Sequence, residues 1–324
     1  LVMAIACVLM ACLPSYATVG PAAIVLFLLL RMLFGLSVGG ELPGAMVVLS
    51  ESAPDRHRCF YSSFAIAGIS LGLLLGSLVS LIVFHSFNTQ QVLAYGWRLA
   101  YAFGALVALI AFVLRYYGED QHVTIDKLVQ SPIVDSFVKF KRDIVKAMSI
   151  QLLPAVGFQF VFIYPLSFLK QYRHWPSSWM AALSVVLLTA FFFLVIFCSL
   201  LSDRFGRKRI AVIALILMLI LAYPLMEMML VHNFVWMTVA CLVLCFLMSL
   251  YYGGVTALTV GIFKTDLKYT PVAIAHSLVF SLFAGSSLLV FASLIHMTGQ
   301  LQSPVYYFIL AIIVSLVGLL TIRE

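Results

Sequence analysis

Long apolar runs separated by short polar breaks dominate the chain. A helix needs about 20 mostly apolar residues to cross the hydrocarbon core of a membrane, and ten runs approach or exceed that length. The pattern therefore predicts ten membrane-spanning helices, of which the first is short. Their approximate bounds are 1–16, 22–50, 60–84, 98–116, 148–169, 178–201, 210–230, 234–262, 271–296 and 304–322.

The composition excludes most other classes of protein. Of the 324 residues, 64% are hydrophobic and 10% are charged, and the mean hydropathy is +1.14. Ordinary soluble domains are about 45–50% apolar and about 25% charged, so a soluble enzyme, a nucleic-acid-binding module and a disordered chain are excluded. The net charge of +7 needs no nucleic-acid partner, because basic loops also orient membrane helices. We predict an all-α, polytopic membrane protein.

The basic residues are distributed unequally between the two sides of the predicted membrane. Fifteen of the 19 Lys and Arg residues lie in the loops of one side, which marks that side as cytoplasmic and places both chain ends there. This side carries the longest polar segment, which separates four spans from six. The other side has only Arg98, Lys170 and Arg173, and the last base, Arg31, lies within a span.

A shift of 210 residues relates the two halves of the chain weakly. Four of the first fourteen residues recur identically between residues 212 and 224, and cytoplasmic loops coincide under the same shift. We interpret this as a parallel duplication, a design used by many transporters. The chain would then correspond to helices 3 to 12 of a twelve-helix design. The predicted domains are a partial N-terminal bundle (1–116), a cytoplasmic linker (117–147) and a C-terminal six-helix bundle (148–324).

The most specific motif is a short basic loop, Ser-Asp-Arg-Phe-Gly-Arg-Lys-Arg, at residues 202–209. Gly206 permits a tight turn, and Asp203 and Arg207 are spaced to meet if the loop is helical. A topology anchor would explain the bases but not the Asp and Gly at their positions. The loop resembles the D-R-x-G-R-[RK] loop of the major facilitator superfamily. That resemblance implies that the loop latches helices of a bundle and tunes the switch between outward-open and inward-open states.

A second motif, R-x-x-x-G-x-S-x-G-G-E, runs from Arg31 to Glu41. Arg31 is predicted about 14 Å into its helix, where a charge costs several kcal/mol unless it faces a cavity or a partner. It is either a functional residue or a structural charge buried in the bundle. Glu41 lies about 15 Å further along, which excludes a direct pair with Arg31 on a straight helix, and pairing with loop bases is favoured. Gly35, Gly39 and Gly40 permit close helix approach.

Further motifs follow in chain order. Glu51 and Arg58 belong to E-x-A-P-x-x-x-R, and G-W-R opens the fourth span at residues 96–98. With the Arg31 motif, they resemble the metabolite:proton symporter family of the same superfamily, relatives of proline/betaine and oxoglutarate transporters. We assign Glu41, Glu51 and Arg58 to the cytoplasmic loop and switch group. The third span carries three glycines interpreted as packing residues: Gly68, Gly72 and Gly76.

Three polar residues of the C-terminal spans join Arg31 as candidates for the substrate or proton pathway. Gln159 lies near the predicted midplane, where it either lines the interior or only bridges helices. Tyr164 is about 140° round the helix from Gln159 and reaches a cavity only if Pro165 bends the helix. His276 titrates near physiological pH, so it is either a proton carrier or a neutral ring that is hydrogen-bonded to a neighbouring helix.

Nothing in the sequence indicates enzyme chemistry or a cofactor. The six cysteines fall mostly in apolar runs, where a thiol behaves as a small hydrophobe. No hydrolase triad, phosphate-binding loop or zinc-ligand spacing is present. We predict a monomer without metal or cofactor that acts in the lipid bilayer on a small solute and protons, with no nucleic-acid partner.

The resemblance implies a proton-coupled symporter of a small polar metabolite, such as an organic acid, an amino acid or a betaine, working by alternating access in a bacterial inner membrane. The charge of Arg31 favours a solute that bears a carboxylate. One alternative is a truncated or degenerate relative, or a fragment, that transports nothing. A weaker alternative is a facilitator without proton coupling. Positions that depart from the family pattern, and so fit the first alternative, are Phe34, Gly261, Lys264, Pro271, His276–Ser277 and Ala284–Leu288.

Overall fold

The computed structural model describes residues 2–117, 138–168, 177–231, 233–263 and 268–322. Every regular element in these ranges is a helix. Among them, nine helical stretches are long and apolar enough to cross a membrane, and Val2–Ala11 is a shorter apolar helix. The predicted all-α fold class and the ten predicted helical regions are therefore confirmed.

The longer helical segments are numbered in chain order. They are α1 (Val2–Ala11), α2 (Ala22–Val38), α3 (Glu41–Glu51), α4 (Arg58–Ser86), α5 (Trp97–Tyr117), α6 (Lys141–Phe158), α7 (Ser177–Phe205), α8 (Arg207–Leu230), α9 (Phe234–Gly261), α10 (Tyr269–Val279), α11 (Gly285–Thr298) and α12 (Pro304–Thr321). Short helices also occur at Tyr16–Val19, Asp55–His57, Thr89–Gln91 and Tyr164–Phe168.

Several spans are irregular in the middle or at one end. Single π-helical turns occur at Val92–Gly96, Gln159–Ile163 and Phe280–Ala284. Such turns are rare in proteins, and those that occur often lie at functional sites. The predicted span 22–50 consists of two helices, α2 and α3, with Gly39 and Gly40 between them, as expected because glycine is a weak helix former.

The described residues fall into two compact units. Unit 1 is taken from Leu1–Leu42 and Leu75–Gln130, and unit 2 from Pro43–Leu74 and Ser131–Glu324. In unit 1, α1 packs against α2 and α5, around a small buried cluster of Ala6, Cys7, Met10 and Ala105. The predicted three-part domain division stays a prediction, since most of the linker at 117–147 lies outside the described residues.

Unit 2 is packed around α9, which lies against α7, α8 and α6. Glycines allow the closest approaches. A Cβ atom added at Gly253 would lie 2.8 Å from the backbone nitrogen of Ser199, and one added at Gly254 would lie 2.8 Å from the carbonyl oxygen of Arg207. Small residues permit this packing in membranes because helix association there depends on close van der Waals contact.

The glycines that the sequence singled out for packing lie elsewhere. A Cβ atom added at Gly35, Gly68, Gly72 or Gly76 meets no described atom within 4 Å, and one added at Gly39 meets only the preceding turn of its own helix. At Gly35, Gly68, Gly72 and Gly76 the described residues leave open space, and the close helix approach predicted for the group stays a prediction. Gly40 is half-buried beside the break between α2 and α3.

Replacing Gly253 by alanine should destabilise the protein by about 1–3 kcal/mol, because overpacking forces the α7 backbone to move. The free energy of unfolding can be measured by titration with sodium dodecyl sulfate in mixed micelles. Gly72→Ala is the matched control in a helix interior, and should be neutral or stabilising by up to about 1 kcal/mol. Equal effects of the two substitutions would contradict the packing assigned to Gly253.

Candidate functional site

The loop at 202–209 supplies a cap to a helix that is distant in sequence. The carboxylate of Asp203 accepts hydrogen bonds from the backbone N–H groups of Cys59 at 3.0 Å and Phe60 at 2.8 Å. These groups open α4, where a helix has N–H groups without an internal partner and a partial positive charge. The Asp203 side chain is only 4% exposed, so its charge is neutralised mainly by this helix start and by Arg207.

The loop geometry that holds Asp203 agrees with the sequence prediction. Gly206 separates α7 from α8 with φ of 101°, a conformation that L-residues with a side chain rarely adopt. The Arg207 Nε atom lies 3.8 Å from the Asp203 carboxylate. Its guanidinium also donates to the carbonyl oxygen of Asp55 at 2.9 Å. We call Asp203, Arg207 and the first turn of α4 the latch.

Two side-chain contacts accompany the latch within unit 2. Lys268 and Glu51 form an ion pair at 2.6 Å, and the hydroxyl groups of Ser62 and Thr256 lie 3.1 Å apart in buried surroundings. Residues 51–62 are thus joined to the C-terminal helices by an ion pair, a helix cap and a hydroxyl pair. These contacts account for the grouping of residues 43–74 with unit 2.

Arg58 does not join the latch through an ion pair. Its guanidinium pairs with Asp55 at 2.6 Å, where the Asp55 side chain is 90% exposed. Exposed pairs of this kind contribute little to stability. Arg58 therefore organises the turn before α4, and Asp203 supplies the connection to α7.

Arg31 and Glu41 lie in unit 1, and both are exposed. The guanidinium of Arg31 lies near enough to the thiol of Cys7 to interact with it electrostatically. The adjacent Leu30 packs on the α1–α5 cluster, so Arg31 occupies the edge of that packed face. A burial of Arg31 inside its unit, which was one of the two interpretations, is not observed.

The deepest polar contact in unit 2 joins His276 on α10 to Gln151 on α6. The His276 Nδ1 atom lies 2.7 Å from the Gln151 Oε1 atom. The two residues are 8% and 3% exposed. The ring of His276 also stacks on Phe280, with centroids 4.1 Å apart. His276 is thus bonded to a neighbouring helix, and its partner Gln151 was not among the predicted site residues.

A π turn at Gln159–Ile163 determines the relative orientation of Gln159 and Tyr164. The N–H group of Tyr164 donates to the carbonyl oxygen of Gln159, five residues earlier, so this turn, before Pro165, changes the register of the helix. Gln159 is half-buried. Tyr164 is buried, stacks on Phe160 and donates its hydroxyl to the carbonyl oxygen of Leu301 at 3.2 Å. In the described residues, Tyr164 therefore contacts the turn before α12.

The described residues contain no group of three or more His, Cys, Asp or Glu side chains that could hold a metal ion. Cys241 and Cys245, which are four residues apart, are both buried in α9. The Cys245 thiol donates to the carbonyl oxygen of Leu187 at 3.7 Å. These thiols pack as small apolar groups.

The described residues contain nine helices that are long and apolar enough to cross a membrane and a glycine-turn loop that caps a distant helix, as expected of a polytopic membrane protein. Residues 1–275 match the Major Facilitator Superfamily, and the chain belongs to this family.

The curated relatives are bacterial transporters. The chain is 28% identical over 339 residues to the glycine betaine/proline/ectoine/pipecolic acid transporter OusA of Dickeya dadantii (strain 3937), covering 99% of this chain and 66% of the relative. It is 27% identical over 340 residues to the proline/betaine transporter of Salmonella typhimurium, covering 100% and 67%. It is 26% identical over 321 residues to the citrate-proton symporter of Klebsiella pneumoniae, covering 98% and 72%. The chain thus spans about two thirds of the length of the first two.

Solved structures of the same superfamily share the fold. The proton:xylose symporter XylE, solved with a bromodeoxyglucose, matches with a TM-score of 0.74 at 16% identity, covering 98% of this chain and 77% of the other. A variant of the E. coli fucose:proton symporter FucP matches with a TM-score of 0.68 at 16% identity, covering 99% and 82%.

Removing the Asp203 carboxylate should open the latch. Asp203→Ala deletes two hydrogen bonds to a charged group, each worth about 1.5–3 kcal/mol. The first turn of α4 should then fray and expose Cys59, whose side chain is fully buried. We expect the alkylation rate of Cys59, read by mass spectrometry of its peptide, to rise at least about tenfold, which corresponds to about 1.4 kcal/mol.

The matched control is Asp143→Ala, which breaks the partly exposed ion pair of Asp143 with Lys146. That change should alter the alkylation rate of Cys59 less than about twofold, since such pairs are worth about 0–1 kcal/mol. An unchanged Cys59 rate in Asp203→Ala would show that the cap does not hold α4 in place.

Proposed function

We propose that the protein is a proton-coupled symporter of a small polar metabolite, such as an organic acid, an amino acid or a betaine. The family assignment supports secondary transport. The relatives named as proline/betaine transporters and as a citrate-proton symporter support this solute class and the coupling to protons. In this proposal the protein is a monomer in a bacterial inner membrane, both chain ends are cytoplasmic, and solute and protons are its partners.

The observation that carries the proposal is the latch. A buried carboxylate on the α7–α8 loop holds the first turn of α4, 143 residues away in sequence, through bonds that are worth a few kcal/mol in total. Such a contact can open and close on the energy scale of ligand binding. Alternating access requires a reversible contact of this kind, and the Glu51–Lys268 pair and the Ser62–Thr256 contact would open with it.

Four residues are proposed to serve the solute and proton pathway. Arg31 is permanently charged and suits a carboxylate of the solute. Gln159 offers an amide next to a π turn, a feature that is often functional. Tyr164 is proposed to set the shape of the path through its contact with the turn before α12, and His276 to carry the proton.

The alternative of a relative that transports nothing is favoured by one observation, the exposure of Arg31 without a carboxylate partner among the described residues. Uptake by the purified chain in proteoliposomes separates the alternatives. With an inward proton gradient and proline, glycine betaine or citrate as the solute, we expect accumulation that a proton uncoupler abolishes. If the solute only equilibrates across the membrane, without accumulating and with no effect of the uncoupler, the protein is a facilitator. Absence of any uptake would overturn the proposal.

Arg31→Ala should lower the initial rate of uptake at least about tenfold at an unchanged protein level, because the solute carboxylate loses a charged partner worth about 1.5–3 kcal/mol. Arg56→Ala is the matched control, since Arg56 is an exposed base of the loop before α4 and should leave the rate within about twofold. Normal uptake by the Arg31 variant would remove its proposed role.

A further inference from the structure

Unit 2 contains a buried contact between a titratable histidine ring, that of His276, and the side-chain amide of Gln151. A titratable ring and an amide meet at 2.7 Å in the core of the six C-terminal helices. The amide nitrogen of Gln151 is buried and has no hydrogen-bond partner among the described residues. A buried amide that satisfies only one of its ends is costly, so this arrangement needs an explanation.

The charged residues nearest to His276 and Gln151 along their helices are several residues away and already form ion pairs with other residues. On α6, the nearest is Lys146, five residues or about 7.5 Å before Gln151, and it is paired with Asp143 at 2.9 Å. On the α10 side, Lys268 is eight residues before His276 and is paired with Glu51. The other charged residues of α6, Lys141 and Arg142, lie still further from Gln151, while α9 and α12 carry only tyrosine and cysteine as titratable residues. Among the described residues, burial and the Gln151 amide are therefore the local influences on the charge state of His276.

The amide can report the protonation of the ring. A charged imidazole donates from both nitrogens, so its Nδ1–H group requires the oxygen of Gln151, and the amide orientation is fixed. A neutral ring has two tautomers. With its proton on Nδ1 it still donates to the Gln151 oxygen, whereas with its proton on Nε2 it accepts at Nδ1, and the amide must then turn and present its nitrogen. The charged ring thus allows one amide orientation and the neutral ring allows both. Because the Gln151 nitrogen has no other described partner, no second bond opposes this rotation.

A side chain of α12 bonds to the α6 backbone on both sides of Gln151. The hydroxyl of Ser315 accepts from the Leu153 N–H at 3.0 Å and donates to the Ser149 carbonyl at 2.9 Å. It thus bridges two groups that a regular helix pairs directly.

The next turn is also irregular. Pro154 has no N–H group, so the Ile150 carbonyl lacks its usual donor, and the hydroxyl of Tyr251 supplies one at 2.7 Å. The backbone on both sides of Gln151 is therefore held by side chains of α12 and α9. Side chains inserted into the helical hydrogen-bond ladder and internal prolines are the common causes of bends in helices.

We propose that His276 is the proton-binding group of unit 2, and that Gln151 positions its ring and couples its protonation to the irregular turn of α6. Loss of the proton from Nε2 leaves the Nδ1–H bond to Gln151 in place, whereas loss from Nδ1 leaves the tautomer in which the amide must turn. Protonation fixes the amide with its oxygen on the ring, and loss of the proton frees the amide to turn. This inference rests on the proposed symport, and it adds to it the residue that links the proton to helix movement.

The first test is transport in proteoliposomes. His276→Gln should lower proton-driven accumulation at least about tenfold and leave solute counterflow, which needs no proton gradient, within about twofold. The matched control is His296→Gln, an exposed histidine on α11, which should change neither measurement. Unchanged proton-driven accumulation in His276→Gln would overturn the inference while the proposed symport would stand.

The role of Gln151 has its own readout, the pH at which uptake is half-maximal. Gln151→Glu places a carboxylate beside Nδ1, which favours the charged ring, so the midpoint should move to higher pH by about one to three units. Gln151→Leu removes the acceptor and should move it to lower pH. A merely structural role would lower the rate of both variants without moving the midpoint, and that outcome would contradict the positioning role.

A measurement without transport keeps the inference testable if no solute is taken up. In lipid nanodiscs, nitrogen-15 spectra of labelled histidine should show one ring among the seven that titrates in the wild type and shifts in Gln151→Leu and Gln151→Glu, but not in His296→Gln. Such a ring supports the positioning even if the proposed function fails. Spectra in which Gln151 variants leave every histidine unchanged would overturn it.

Discussion

The hydrocarbon environment allows no backbone N–H or C=O group to remain without a partner, and this constraint explains where unit 2 is polar. Regular helices satisfy the requirement within themselves. At several points where a described helix of unit 2 starts or departs from regularity, a side chain of another helix completes the bonding. Asp203 does so at the start of α4, and Ser315 and Tyr251 do so in α6.

These completing bonds are also the ones that can be exchanged. A regular helical turn in lipid has no alternative partner, so opening it leaves two buried groups unsatisfied at a cost of several kcal/mol. A carbonyl that is already held by a hydroxyl, or an N–H held by a carboxylate, can exchange that partner for water or solute as the helices move. The latch and the turn around Gln151 are therefore the places where unit 2 can change conformation at a cost comparable with binding energies.

Local spacing in the sequence predicted local geometry well. The ten apolar runs became helical regions, Gly206 adopts the positive φ expected of the tight turn, and Asp203 and Arg207 approach each other four residues apart. The partner of Asp203 was beyond reach, because it is a pair of backbone N–H groups 143 and 144 residues away and any residue type carries such groups. Only the fold determines which helix start faces the carboxylate.

Glycine spacing and helix depth were weaker guides. The four-residue spacing that favours packing is followed by Gly68, Gly72 and Gly76, yet a Cβ atom added at any of them would meet no described atom within 4 Å. A Cβ atom added at Gly253 would lie 2.8 Å from the backbone of Ser199. Glycine spacing in the sequence identifies a helix face with small side chains, but it does not identify which helix packs against that face. Depth singled out Gln159 and not Gln151, which lies three residues before Pro154, where the α6 backbone loses a donor.

The same constraint accounts for the G-W-R motif in unit 1. The π turn at Val92–Gly96 leaves backbone carbonyls displaced from their α-helical partners, and Arg98 lies just after it. Its guanidinium donates to the carbonyl of Ala94, within the π turn, and to the carbonyl of Leu13 at 2.8 Å, after α1. A single arginine thus satisfies an irregular helix and ties it to the end of another, as Asp203 does in unit 2 with the opposite charge at a helix start. Bases suit displaced carbonyls and acids suit free N–H groups, so the sign of a charge near an irregular turn indicates which backbone group it completes.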